Sequence, residues 1–236
     1  MKVFSLKSNQ IFQDHLKLNF PDIKKNYQNN SKILVEFHAW SSHHICYSYL
    51  IDLLKKKYLS DVIAYEGYTL ISSQILHSPF QKLKWNIGQK LGIKNFGIYK
   101  EIGVDSFIKP KKTKILDVKF QKFLNKKLKF KNNNDVINFK LHNIWIGDLI
   151  YDTYLKVKNK PTINIDDKDF QIFFLDAVYI FFYWFDYFKK NNVKAVLISH
   201  STYLYGMIMR IATSFSATVY KPTFSTVYKI KKNNYT

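Results

Sequence analysis

The sequence is short of arginine, cysteine, glycine and proline, and each shortage excludes something. Arg210 is the sole arginine, so the excess of 37 Lys and Arg over 17 Asp and Glu, a formal charge of +20, rests on lysine. Base readout and phosphate forks use the planar, bidentate guanidinium, which makes nucleic acid an unfavoured partner. Lys, Asn, Ile, Phe and Tyr share A/T-rich codons, and coding bias accounts for much of the basicity. What remains is a general attraction for anions. Cys46 is the only cysteine, which excludes an internal disulfide and a thiolate zinc cluster and fits a reducing, cytoplasmic setting. With 7 glycines and 5 prolines in 236 residues, collagen-like and linker-rich classes fall away. The 47% hydrophobic and 17% aromatic content supplies the core of one ordinary domain.

Long uninterrupted apolar runs are also missing. Residues 1–12 have no signal-like apolar segment or small-residue cleavage site. The nearest approach to a membrane span, residues 170–188, contains Gln171, Asp176 and Asp186. Asp176, Tyr179, Tyr183 and Asp186 recur at helical spacing, and a central charge costs about 2.5–3.5 kcal/mol on insertion scales. The expectation is a long helix packed in a core.

What is present reads as alternating strands and helices. Residues 1–31 form a polar lead-in. Residues 32–40 are an apolar run of strand length, followed by a polar turn and a helix to about Tyr58 with Ile45, Tyr49 and Leu53 as its apolar stripe. Residues 61–67 read as the next strand, residues 68–92 as holding a helix, and residues 96–102 as a short strand. From Lys109 to Lys131 ten lysines stand against Asp117. Leu116, Phe120, Phe123, Leu124 and Leu128 share one helical face there, leaving lysines on the other. Such a helix ordinarily solvates its charged face, and its functional reading is attachment to an anionic membrane surface or capture of a phosphorylated lipid. Residues 145–157 read as a helix opened near Gly147 and Asp148. The acidic group Asp166, Asp167 and Asp169 caps the long aromatic helix, since carboxylates in a first turn satisfy its amides and dipole. Residues 193–200 are a buried strand, residues 204–215 a helix and residues 217–221 a further strand, so residues 32–222 carry the grammar of a parallel sheet. Residues 223–236 are a tail or the start of a linker.

In open parallel sheets, ligands sit outside the carboxyl ends of the strands. Two turns expected there are unusually polar: His38 with Ser41, Ser42, His43 and His44, and His200 with Ser201, Thr202 and Tyr203. Histidine at such a position serves as a general base or donates to a phosphate, while its commonest role is to satisfy a loop carbonyl. No P-loop, G-x-G-x-x-G or G-x-S-x-G pattern occurs, and His43, His44 and Cys46 lie too close together for a recognised zinc site.

Two stretches, IGDLIYDTYL at residues 146–155 and LISHSTYLYGMIMRIA at residues 197–212, resemble the N-terminal half of bacterial surface-carbohydrate and capsular polysaccharide biosynthesis proteins, which are glycosyltransferase-like in the GT-B arrangement. The resemblance implies a Rossmann-like three-layer α/β/α domain with a mainly parallel sheet, acting as the acceptor side of a sugar transferase. A nucleotide-sugar would be the donor, a glycan or lipid-linked molecule the acceptor, and no metal or other cofactor would be required. Asp148, Asp152, His200, Tyr203 and Arg210 are the motif positions, with His200 and His38 as candidates for the base. One domain's worth of chain also implies a C-terminal donor-binding domain or a partner chain, with the protein peripheral at the inner membrane face. Two other readings compete. One is a non-catalytic domain that docks on anionic membrane or nucleic acid through its lysine-rich helix. The other is a metal-dependent GT-A-like transferase using Asp167 and Asp169.

Overall fold

The computed structural model describes residues 6–25, 27, 30–38, 41–66, 79–125, 129–223 and 225–232. Five strands run parallel: β1 (Ser31–Glu36), β2 (Asp61–Tyr65), β3 (Ser106–Ile108), β6 (Asn192–Leu197) and β7 (Thr218–Pro222). A sixth, β8 (Val227–Ile230), pairs antiparallel with β7, and the sheet order is β3-β2-β1-β6-β7-β8. Residues 227–230 therefore belong to the sheet rather than to a tail. Two-residue strands β4 (Lys140–Leu141) and β5 (Ile144–Trp145) form a separate small hairpin, so Trp145 precedes its helix instead of opening it.

Alternation along each strand divides the core. Ile33, Val35, Val62, Ala64, Ala195 and Leu197 face one side, while Leu34, Ile63, Tyr65, Val196 and Ile198 face the other. Buried on both faces, these strands are held as parallel strands must be, between helical layers. The first layer has α1 (Leu6–Asn19), α2 (Ser41–Tyr58) and α4 (Asn95–Glu101), with α3 (Pro79–Leu91) packed beside α4. The second has α5 (Lys114–Leu124), α6 (Asn133–Ile137), α7 (Gly147–Lys158), α8 (Lys168–Lys190) and α9 (Gly206–Ser214). This is the Rossmann-like three-layer α/β/α domain expected from the sequence.

α8 forms the hub of the second layer. Phe170, Phe174, Ile180, Phe181 and Trp184 are buried along it, and Asp167 caps its first turn by accepting from the Asp169 amide at 2.9 Å. Among the described residues, no helix is long and apolar enough to cross a membrane. On α5, Leu116 and Phe123 are buried as the spacing predicts; Lys126, Lys127 and Leu128 lie outside the described residues, as do residues 67–78.

Three expectations fail for physical reasons. Part of the polar lead-in is α1, which contributes the buried Leu16 and leads into the buried Phe20 and Ile23 of the first layer. Residues 95–101 are helical rather than extended, because helical spacing puts Tyr99 and Ile102 together in the core. On α2 the supposed apolar stripe of Ile45, Tyr49 and Leu53 faces outward, and the buried face is His44, Tyr47, Ser48, Ile51, Leu54 and Lys55. Its polar members are satisfied in place: Ser48 Oγ donates to the Ile45 carbonyl at 2.6 Å and Lys55 Nζ to the Gly103 carbonyl at 3.2 Å.

Candidate functional site

The chain builds outward from β1 to β2 and β3, then returns to place β6 on the other side of β1. Strand order reverses at that point, and the carboxyl ends of β1 and β6 lie side by side, Val35 opposite Leu197. This is where open α/β sheets leave a crevice. The two histidine-bearing turns emerge there on one edge, and their rings influence one another electrostatically.

Glu36 closes β1 and is buried. Its Oε2 accepts from the Ser199 amide at 2.5 Å and from Ser199 Oγ at 2.8 Å. Ser199 Oγ also lies 2.8 Å from His200 Nδ1. A hydroxyl has one proton, and with Glu36 ionised Ser199 Oγ donates it in the hydrogen bond to Oε2. His200 Nδ1 is then the donor to Ser199, which assigns the lone pair of the neutral ring to Nε2. Burial pushes the Glu36 carboxyl up, against the pull of the two Ser199 bonds. The His200 imidazole is held below its ordinary value by burial and by Lys221 and Lys156.

The β1 side is as closely knit. His44 Nε2 donates to the His38 carbonyl at 3.2 Å, and the His38 amide donates to Tyr99 Oη at 3.2 Å. Tyr99 Oη in turn donates to the Glu36 carbonyl at 2.5 Å. His38 Nε2 is 3.3 Å from Tyr47 Oη, and the His38 ring stands edge-on to His43 with centroids 4.8 Å apart. Burial first, and then His43, His44 and His200, lower the His38 pKa to about 3. His43 and His44 are lowered too, mainly by burial. All four rings are thus neutral at physiological pH, which suits a base or a hydrogen-bonding group.

Ser41 and Ser42 open α2 at the same edge. On the β6 side, Ser201 Oγ accepts from Lys221 Nζ at 3.0 Å, and Lys156 Nζ stands 4.2 Å over the Tyr203 ring. Tyr203 has φ +55°, a left-handed conformation that is strained for a bulky residue. The next residue is anchored, Leu204 N donating to Thr153 Oγ1 of α7 at 2.8 Å. Gly206 sits so close to the turn that a Cβ would lie 2.2 Å from the Ser201 carbonyl oxygen.

Asp148 and Arg210 are brought to each other. The guanidinium grips the carboxylate through two bonds of 2.5 and 2.6 Å, donates to the Trp145 carbonyl at 2.7 Å and stacks on the Trp145 ring. That fork bolts α7 to α9. Asp152, one turn further along α7, has its carboxyl pKa raised by burial and by Asp148. Asp167 is engaged by Lys160 and Tyr154, and Asp169 by Lys158. Among the described residues no group of three or more His, Cys, Asp or Glu has an arrangement suited to a metal ion.

The sequence reading missed Glu36, Ser199, Tyr47 and Tyr99. A carboxylate ending an apolar strand in KILVEF and a serine before the histidine in LISH were the available signals. No protein-family model, curated protein or solved structure matches the chain.

Proposed function

We propose that the crevice between β1 and β6 binds a hydroxyl-bearing glycan or lipid-linked acceptor, and that this chain is the acceptor side of a GT-B-like glycosyltransferase of surface polysaccharide synthesis. The Glu36–Ser199–His200 relay carries the reading, because it holds a neutral imidazole with its basic nitrogen assigned, at the fold's ligand-binding edge. In the reaction, His200 Nε2 takes the acceptor hydroxyl proton and the oxygen attacks the anomeric carbon. The bond from that carbon to the diphosphate breaks, and the nucleoside diphosphate leaves with the electron pair. Lys156 and Lys221, which border His200, favour that anion without a metal. His38, hydrogen-bonded to Tyr47, lines the opposite wall and positions the acceptor. A second domain or partner chain supplies the remaining contacts to the nucleotide-sugar.

The test is release of free nucleotide from a panel of nucleotide-sugars incubated with the protein and with glycan or lipid-linked acceptors. With the second domain or partner chain present, wild type is expected to release nucleotide only when acceptor is present, and His200→Gln to lower the rate by about 100-fold or more. Turnover insensitive to His200→Gln overturns the assignment of the base. Tight, steeply salt-dependent oligonucleotide binding with no sugar-nucleotide turnover overturns the enzyme reading in favour of a binding domain.

A further inference from the structure

α3 (Pro79–Leu91) turns an apolar face to solvent. Phe80 is 73% exposed, Leu83 56%, Ile87 43% and Leu91 68%. At 100° per residue these four fall within an arc of about 80° on one side of the helix. Lys90 borders one edge of that arc and Lys84 the other, and both are exposed. The opposite side of α3 is fixed to the domain. Trp85 packs edge-on against Phe37 and Phe96, with centroids 5.7 and 5.0 Å away, and a Cβ on Gly88 would meet the Phe96 ring at 2.8 Å. An open groove of about 470 Å³ runs alongside, walled by Phe37, Ile93 and Phe96 as well as by Phe80, Leu83 and Ile87.

We propose that α3 is a membrane-docking helix that lies in the interface of an anionic bilayer, with Phe80, Leu83, Ile87 and Leu91 in the acyl region and Lys84 and Lys90 at the headgroups. An apolar stripe of one aromatic and three aliphatic side chains between two lysine edges matches the layering of an anionic lipid surface. A second copy of the chain would bring the same lysine edges and another charge of +20 against the first. Nucleic acid offers phosphates and a base to stack on Phe80, but nothing for Leu83, Ile87 and Leu91. The inference moves the membrane contact from the lysine-rich α5, whose main apolar face is already buried, to a helix whose apolar face is open. It stands independently of the sugar-transfer reading. Phe37 precedes His38, so a docked α3 sets the histidine crevice beside the bilayer.

Sedimentation with vesicles of phosphatidylcholine, with and without phosphatidylglycerol, tests this on the whole chain. Binding is expected only with phosphatidylglycerol present. The exposed pair Leu83→Asp/Ile87→Asp should weaken it by about 100-fold, and Lys84→Glu/Lys90→Glu by about tenfold or more. Lys114→Glu/Lys122→Glu on α5 should change it by no more than about threefold. Circular dichroism checks that each variant folds; were the aspartate pair to unfold, Leu83→Ser/Ile87→Ser serves in its place. No binding to anionic vesicles overturns the proposal, as does binding that survives loss of the stripe or is abolished by the α5 pair. Light scattering that shows a lipid-free oligomer dissolved by the stripe variant overturns it in favour of self-association.

Discussion

Ionisable groups held out of water make opposite demands on pH. His38 is held near a pKa of about 3 by burial and by its histidine neighbours, against an ordinary value near 6.5. Between those values the unfolded chain binds a proton that the folded one does not, so stability falls as pH drops from 6.5 towards 3. His43, His44 and His200 are lowered as well and act in the same sense. We expect denaturant unfolding to show a loss of about 3 kcal/mol between pH 6.5 and pH 4 attributable to His38, and a visibly smaller loss in His38→Asn. An unchanged slope would mean that His38 is open to protons in the folded state. Asp176 has the reverse sign. Burial raises its carboxyl to about 6, partly offset by Lys112, and its Oδ2 is buried without a hydrogen bond. The folded state therefore disfavours the carboxylate, and stability is lost as pH rises from 3.8 through about 6. Asp176→Asn should stabilise the protein at pH 7 by about 1–2 kcal/mol, after discounting for water access, and by almost nothing below pH 3.8. Equal effects at both pH values would locate the gain in packing instead.

At the scale of elements, the turn carrying His200 depends on α9 starting where it does. Gly206 lets that helix begin against the Ser201 carbonyl, and Arg210, one turn later, ties α9 to Asp148 of α7. Gly206→Ala is expected to cost about 2–4 kcal/mol, because backbone must move to admit the methyl. Arg210→Lys should cost about 2–4 kcal/mol despite keeping the charge, since one ammonium cannot replace the fork in a buried pair. Thermal unfolding measures both, and a near-neutral Arg210→Lys would show that packing on Trp145, rather than the fork, holds the helices. These dependencies also explain what could be read in advance. β1 and β6 are apolar on both faces, so their runs stand out and the meeting of their turns follows from parallel pairing. α2 was read on the wrong face because its buried side carries His44, Ser48 and Lys55, which hydropathy counts as surface. α4 was read as a strand because Phe96 and Ile98 alternate, whereas Tyr99 and Ile102 at helical spacing are what the core receives. Glu36 shows in the sequence only as a carboxylate ending an apolar strand, and its pairing stays hidden because its partner Ser199 lies 163 positions away.

For the whole molecule, the charge of +20 acts on stability and on docking in opposite directions. Lysines spread over a small domain repel one another, and that repulsion weakens the compact state. Salt screens it, the Debye length falling from about 10 Å at 0.1 M to about 3 Å at 1 M. Local attractions lost at the same time are small, since exposed pairs such as Lys24 with Glu101 contribute about 0–1 kcal/mol each. Repulsion should win. The melting temperature is expected to rise by about 2–4 °C as sodium chloride increases from about 0.02 M to 0.5 M, which corresponds to ~1 kcal/mol for a chain of this size. The same salt series should weaken vesicle binding, because the lysine–lipid attraction is screened while the apolar stripe is unaffected. Differential scanning calorimetry and vesicle sedimentation on one set of samples read both slopes. A melting temperature that falls with salt would place net stabilisation in the surface ion pairs, and vesicle binding that does not weaken would leave the lysine edges of α3 without a part in docking.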